Sequence, residues 1–410
     1  MKKLLAFGLA ATMAVAGLGA LAGCAQGDGE LTVGFIALHD DKSTYDKNFL
    51  DAIKKACANK GIDEDHLIIK TGIPETNACY DAAAELVDLG CDVIFADSFG
   101  HEKFVLQAAE EFTDVQFCHA TGTLAHTENV DNFHNAFAHI YQGRYLAGVA
   151  AGMKLVEMYE AGDVLDADNF DADDNIKIGY VGAYPYAEVV SGYTSFFLGA
   201  RSVVEEETDI SVSMEVTYTS SWYDEVAERD GANLLISRGA ALISQHADSM
   251  GAPAACETAG VPNVSYNGST AAQCPDTFII SSRINWVPYF EYMIDCVKND
   301  EEIAKDWTGT LKNGAVAVTE LGNAAAEGTQ AKLDEVKAKL ENGTLNVFDC
   351  SKFTVDGKHI TSYKADVDTD DAFTPDTEAI ENGVFMESKF RSAPYFDVRI
   401  DGITELTSAE

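Results

Sequence analysis

Asp92-Val93-Ile94-Phe95-Ala96-Asp97-Ser98-Phe99-Gly100 is the stretch that decides the reading of this chain. Four apolar residues in a row, with no polar alternation, are too few for a helix and read as a strand buried on both faces. Asp97, Ser98, Phe99 and Gly100 then form a turn that carries a short acid and a ring. Working outward, 102–112 has helical spacing and 115–120 (VQFCHA) is a second apolar run. Upstream, 77–90 reads as a helix that ends on Gly90, 66–71 (HLIIKT) as a strand and 31–38 (LTVGFIAL) as a strand. Between those strands, 48–60 places Phe49, Ile53, Ala56 and Cys57 on one helical face. Strand and helix in alternation predict a parallel sheet covered by helices.

The pattern then restarts. Residues 138–159 predict a long helix with Ile140, Tyr141, Tyr145, Leu146 and Val149 on its apolar side. Strands are expected at 176–182, 211–217, 241–245 and 262–266, with helices at 189–204, 225–238 and around 253–259 between them. A strand-like segment at 278–284 leads to a helix at 287–297; a charged helix follows at 329–340, and 346–363 reads as short strands. A chain of 410 residues is also too long for one ordinary core. The expectation is an α/β protein of two similar units.

The chain opens with Lys2 and Lys3, then an uncharged apolar stretch over 4–21 that ends in Leu21-Ala22-Gly23-Cys24. That order predicts a secretory signal peptide over 1–23. The LAGC ending resembles a bacterial lipobox, which implies lipid on the Cys24 sulfur and an extracytoplasmic, membrane-tethered body; each buried CH₂ of such an anchor contributes about 0.8 kcal/mol. No other apolar run approaches the ~20 residues that span a bilayer. Lys and Arg number 28 against 67 Asp and Glu, a net charge of −39. So acidic a chain repels nucleic acid, whose binding needs cations on the phosphates, and argues against polyanionic ligands; the charge itself reads as a solubility feature.

Eight cysteines remain besides Cys24: Cys57, Cys79, Cys91, Cys118, Cys256, Cys274, Cys296 and Cys350. None forms a C-x-x-C pair or stands at zinc spacing from a histidine, so no metal site is expected and most read as small buried hydrophobes. The one disulfide considered pairs Cys256 with Cys274. Asp171, Asp173 and Asn175 open like a calcium loop, as do Asp366, Asp368 and Asp370, but neither run has the closing Glu, and both read as solvated loops.

In open parallel sheets ligands bind at the carboxyl ends of the strands. Those ends carry His39 to Asp46 after the first strand, Asp97 to Phe99, Tyr184 to Tyr186, Trp222 to Asp224, His246 to Ser249, and Asn267 to Ser269. Rings and short acids recur. Such a set suits a flat, neutral ligand, with rings stacked on its faces and carboxylates accepting from its OH and NH groups.

Several of these segments, with others across most of the chain, resemble the basic membrane protein (PnrA-like) family of substrate-binding lipoproteins that serve ABC importers. Asp40-Asp41-Lys42-Ser43 with Tyr45 is similar to the family's DDKSF loop, and 92–100 to its D-V-I-F-A-x-S-F-G turn. Residues 185–203 (PYAEVVSGYTSFFLGARSV), 221–224 (SWYD), 245–249 (QHADS) and 285–289 (NWVPY) are similar to further family segments, as is 141–148 (YQGRYLAG). The resemblance implies a type I periplasmic-binding-protein fold: two Rossmann-like lobes joined by three crossovers, lobe 1 at 31–125 and 281–312, lobe 2 at 126–280 and 313–410. It implies a small-molecule ligand, chiefly a purine nucleoside or purine base, ABC permease subunits as partners, no cofactor and no catalysis.

Carried over residue by residue, the ligand-binding set is Asp40, Tyr45 and Asp97 from lobe 1, and Phe197, Trp222, Asp224, His246 and Asp248 from lobe 2, with Asn267 at the end of the VSY strand. Two departures stand out. One residue is inserted after Ser43, giving Thr44-Tyr45-Asp46, and Asn267-Gly268-Ser269 replaces an acid that contacts ribose in nucleoside-binding members. Two other functions fit the same residues: a sensor or receptor lipoprotein that keeps the fold, and a nucleosidase using Asp40, Asp41 or Asp97 with His246. The second lacks any G-x-S-x-G or H-E-x-x-H pattern.

Overall fold

Strands and helices alternate from the start: β1 (Val33–Ile36), α1 (Thr44–Asn59), β2 (Leu67–Lys70), α2 (Asn77–Asp88), β3 (Val93–Ala96), α3 (Glu102–Glu111), β4 (Gln116–Ala120), the single turn α4 (Leu124–Thr127), β5 (Phe133–Ala138) and α5 (Ile140–Ala161). The chain continues through β6 (Ile176–Gly182), α6 (Ala187–Glu207), β7 (Val212–Tyr218), α7 (Glu225–Ser237), β8 (Ile243–Gln245), α8 (Gly251–Ala259), β9 (Asn263–Tyr266) and β10 (Phe278–Ile284). Then come α9 (Val287–Asn299), β11 (Asp306–Gly309), β12 (Val316–Val318) and α10 (Thr329–Glu341). This computed structural model describes residues 31–367 and 374–406. The expected leader over 1–23, the lipid-bearing Cys24, and Asp368 and Asp370 lie outside the described residues.

Strand pairing resolves two sheets, ordered β11-β5-β4-β3-β1-β2 and β12-β10-β9-β8-β6-β7 with a late strand, β17 (Ile403–Glu405), beyond β7. Both contain the 2-1-3-4-5 order of a doubly wound sheet. All pairs in the first sheet are parallel; the second has one antiparallel pair, β10 with β12. The architecture is the expected α/β fold of type I.

The pairing shifts the expected lobe boundaries. β5, which falls in the span 126–280 given to lobe 2, pairs with β4 of the first sheet. β10 pairs with β9 as far as Ser282 and with β12 from Ser282 to Ile284, so residues 281–284 stay with the second sheet. The first two crossovers therefore follow Ala138 and Ile284, and the third runs from β11 to β12. β5 (FHNAFA) escapes sequence reading because His134 and Asn135 interrupt its apolar run; burial of both is made tolerable by hydrogen bonds, His134 to Gln116 Oε1 and Asn135 to Gly122 N and Asp306.

Local chemistry fixes the helix starts that matter for the cleft. Ser43 caps α1, its hydroxyl accepting from Asp46 N at 3.1 Å. Asp224 caps α7, accepting from Val226 N and Ala227 N. α5 is buried around most of its circumference rather than on one side, because α6, α10 and β10 all pack on it. Its approach to α6 is set by glycine: a Cβ on Gly148 would stand 2.0 Å from Phe196 O, and one on Gly199 2.2 Å from Tyr145 O.

The 285–289 segment is structural. Trp286 stacks on Phe49 at 4.3 Å between ring centroids and packs with Phe95, Tyr289 and Phe290 under the first sheet. All eight described cysteines are buried free thiols, Cys256 and Cys274 included, so the pairing considered for those two does not form. The expected short strands at 346–363 are turns and isolated bridges; the local pairs lie later, β13 (Lys364–Ala365) with β14 (Thr377–Glu378) and β15 (Ile380–Glu381) with β16 (Val384–Phe385).

Candidate functional site

The carboxyl ends of both sheets open onto one cavity of about 330 Å³. From the first sheet come Leu38 and His39 after β1, Tyr45 and Asp46 on the first turn of α1, Ser98 and Phe99 after β3, and Thr121 after β4. From the second come Tyr186 and Glu188 before and at the start of α6, Trp222 after β7, His246 and Asp248 after β8, and Tyr266 at the end of β9. The C-terminal segment adds Arg391, Pro394 and Asp397.

Two rings guard the mouth: Phe99 is 43% exposed and Tyr186 45%, and their centroids are 5.7 Å apart across the cleft. Behind them Tyr184 stacks on Tyr186 at 5.1 Å and meets Trp222 edge-on at 5.0 Å. His39 packs on Tyr223 from the opposite sheet, and Thr44 N donates to Asp248 O at 2.9 Å, so the two sides touch in this structure.

A buried polar chain runs beneath the second wall. Arg144 of α5 donates from Nη1 to Gln245 O and from Nη2 to His246 Nδ1, both at 2.9 Å, and its guanidinium lies 3.3 Å over the Tyr266 ring. Arginine can only donate, so His246 Nδ1 accepts, and its proton sits on Nε2, 2.6 Å from Glu188 Oε2. Burial holds the imidazole below its ordinary range, against the pull of Glu188. Glu188, Arg144 and Tyr266 escaped the sequence reading. The signal for the first two was a lone charge inside an apolar helical stretch, PYAEVV and QGRYLAG.

The first wall is rich in carboxylates. Burial raises Asp46, but hydrogen bonds from His39 and Ser43 outweigh it and the acid sits below its ordinary value. Asp97, wholly buried behind Tyr45, goes the other way: burial, then the charge of Asp46, push it far up. Its Oδ1 accepts from Leu38 N at 3.2 Å, and its carbonyl takes the Tyr45 hydroxyl at 2.7 Å. Asp248 is pushed up by burial and by Asp46, Glu228 and Glu188 in turn. Asp97 Oδ2 and Asp248 Oδ1 are buried oxygens with no hydrogen-bond partner among the described residues.

Of the nine residues expected at the site, Tyr45, Trp222, His246 and Asp248 line the cavity, and Asp97 stands behind Tyr45. The other four lie elsewhere. Asp40 is exposed and pairs with Lys42. Phe197 faces the core, with a ring atom 2.8 Å from where a Gly402 Cβ would stand. Asp224 spends its oxygen as the α7 cap. Asn267, in the left-handed region at φ +64°, opens on a separate 500 Å³ groove with Arg283 and Thr44.

A sequence family described as ABC transporter substrate-binding proteins, PnrA-like, matches residues 31–349. The chain belongs to this family. PnrA-like proteins take small-molecule ligands and work with ABC permease components outside the cytoplasm. A purine-binding protein of Brucella abortus is 29% identical over 335 residues, 80% of this chain and 86% of that one. A Haloferax volcanii protein, named for glucose binding by an ABC transporter, is 28% identical over 299 residues, 72% of this chain and 70% of its own. Among solved structures, an ABC transporter solute-binding protein from Aeropyrum pernix K1 superposes with a TM-score of 0.60 at 16% identity, over 80% of this chain and 95% of that one; the likeness is one of fold. Among the described residues no helix is long and apolar enough to cross a membrane.

Proposed function

We propose that this PnrA-like protein captures a purine base, a purine nucleoside or a similar flat ring bearing N–H groups, and delivers it to an ABC permease. The observation that carries this reading is one cavity with aromatic walls (Tyr45, Phe99, Tyr186, Trp222, Tyr266) and an acceptor-rich floor, in which Asp248 Oδ1 has no partner. An unpaired buried acceptor is costly, so a ligand N–H that satisfies it gains that cost back as affinity. Rings on the walls add stacking. The name of the Brucella relative supports the same class.

In this reading the bodies built on the two sheets are hinged lobes, residues 1–23 are a signal peptide, and lipid on Cys24 holds the protein at the outer face of the cell membrane. Ligand favours the closed arrangement because only there do both walls touch it. No bond-breaking step is assigned to the site.

A thermal-shift titration with adenine, hypoxanthine, adenosine, inosine and glucose tests the ligand class. A ligand at about 100 times its Kd stabilises by about 2.7 kcal/mol. Stabilisation by glucose alone would replace the purine reading with the sugar reading that the Haloferax relative's name supports. Release of hypoxanthine from inosine on incubation would replace it with a nucleosidase.

A further inference from the structure

The family match stops at residue 349, yet the chain goes on, and the continuation reaches both sheets. On the first side, Ser392 is wholly buried, donating from N to Asp306 Oδ2 at 2.6 Å and from Oγ to Asp306 Oδ1 at 2.5 Å, while Asn135 Nδ2 donates to its hydroxyl at 3.0 Å. His126 Nε2 meets Val367 O at 2.9 Å. On the second side, β17 extends the sheet beside β7, and Glu405 Oε1 accepts from the Tyr193 and Tyr218 hydroxyls at 2.7 and 2.6 Å. Between these anchors, Arg391, Pro394 and Asp397 face the cavity.

We propose that residues 391–397 are a ligand-contacting wall added to the family's cleft, and that Arg391 selects ring ligands carrying a carbonyl oxygen. This rests on the purine reading above. Arg391 donates from Nε to Ala393 O at 3.3 Å and from Nη1 to Asp366 O at 3.2 Å. Those bonds hold the fork in place beside the cavity. A guanidinium cannot accept, so it pairs with a carbonyl or ring-nitrogen acceptor and never with an exocyclic amine. Asp248 presents its partnerless Oδ1 to the same cavity. A ring carbonyl offers the guanidinium an outward-pointing oxygen, which hypoxanthine carries where adenine carries an amine that cannot accept from it.

Isothermal titration of the full chain, wild type and Arg391→Ala, with hypoxanthine and with adenine decides the matter. The expected result is an Arg391→Ala loss of about tenfold or more for hypoxanthine, the scale of one charge-assisted hydrogen bond, with adenine changed much less. Arg391→Lys restores part of the loss, and an unchanged thermal midpoint without ligand shows that the fold is kept. If Arg391→Ala lowers that midpoint, the Arg391→Lys comparison carries the same test in a folded protein. Equal affinities of wild type and both variants for both bases overturn the role of Arg391 and leave the purine reading standing. If neither base nor its nucleoside binds wild type, the purine reading falls and this inference with it.

Discussion

Replacing Arg144 with methionine removes the cationic end of the chain Glu188–His246–Arg144 while keeping most of its volume. Two hydrogen bonds of 2.9 Å are lost, and so is the contact with the Tyr266 ring at 3.3 Å. Bonds from a charged donor contribute about 1.5–3 kcal/mol each, and a desolvated cation–π contact about 2 kcal/mol. Relief of burying the guanidinium offsets part of this sum. What remains is the cost of leaving Gln245 O and His246 Nδ1 buried without their donor, about 1–3 kcal/mol for each acceptor. The assay is urea unfolding followed by far-UV circular dichroism, for Arg144→Met, Glu188→Gln and the double variant. The double variant should be less destabilised than the sum of the singles, since the second change removes the charge the first leaves uncompensated. A loss below about 1 kcal/mol for Arg144→Met, or strict additivity, refutes the coupled chain.

Trp222→Ala should weaken ligand binding by about 2 kcal/mol in calorimetry, as the loss of a stacking anchor; unchanged affinity removes Trp222 from the site. Gly148→Ala should destabilise by about 1–3 kcal/mol in chemical denaturation, because its Cβ would stand 2.0 Å from Phe196 O and α5 and α6 must separate; a neutral effect would mean the helices yield freely. Glu387 is pushed up to about 8 by burial, then lowered in part by the Ser191 hydroxyl and raised by Glu188. A carboxyl whose folded pKa is raised holds its proton longer when folded, so its burial weakens the fold as pH rises from about 4.5 towards 8. Glu387→Gln should therefore unfold at a higher temperature than wild type at pH 8, with the gap closing by pH 5; a gap that widens on acidification reverses the sign and the assignment.

The strand-helix alternation was legible because a strand buried on both faces must be continuously apolar, as 93–96 is, and because helix ends carry their own signals. β5 and the edge strands β11, β12 and β17 were not: they are short or broken by polar residues, and only pairing with a neighbour makes them strands. At the site, Tyr45, Trp222, His246 and Asp248 could be named because they lie immediately beyond strand ends, where topology leaves few directions to point. Phe197 lies on helix α6, where one residue of rotation turns a side chain by about 100°, and it turned to the core; Asp224 stands just before α7 and turned to that helix's first amides. Arg144 and Glu188 give no sign in the sequence of meeting through His246, some hundred residues from Arg144.

By itself, then, the chain determined its class, its two-sheet repeat, its acidic character and the ring-and-acid composition of its strand ends, all of which follow from local periodicity and side-chain chemistry. Tertiary structure alone decided which of those ends share a cavity, which acids are left without partners, where the chain crosses between sheets, and that a segment near residue 391 returns to close the wall. Those outcomes depend on contacts between residues far apart in sequence, whose pairing is selected by the packing of the whole and written in no single stretch.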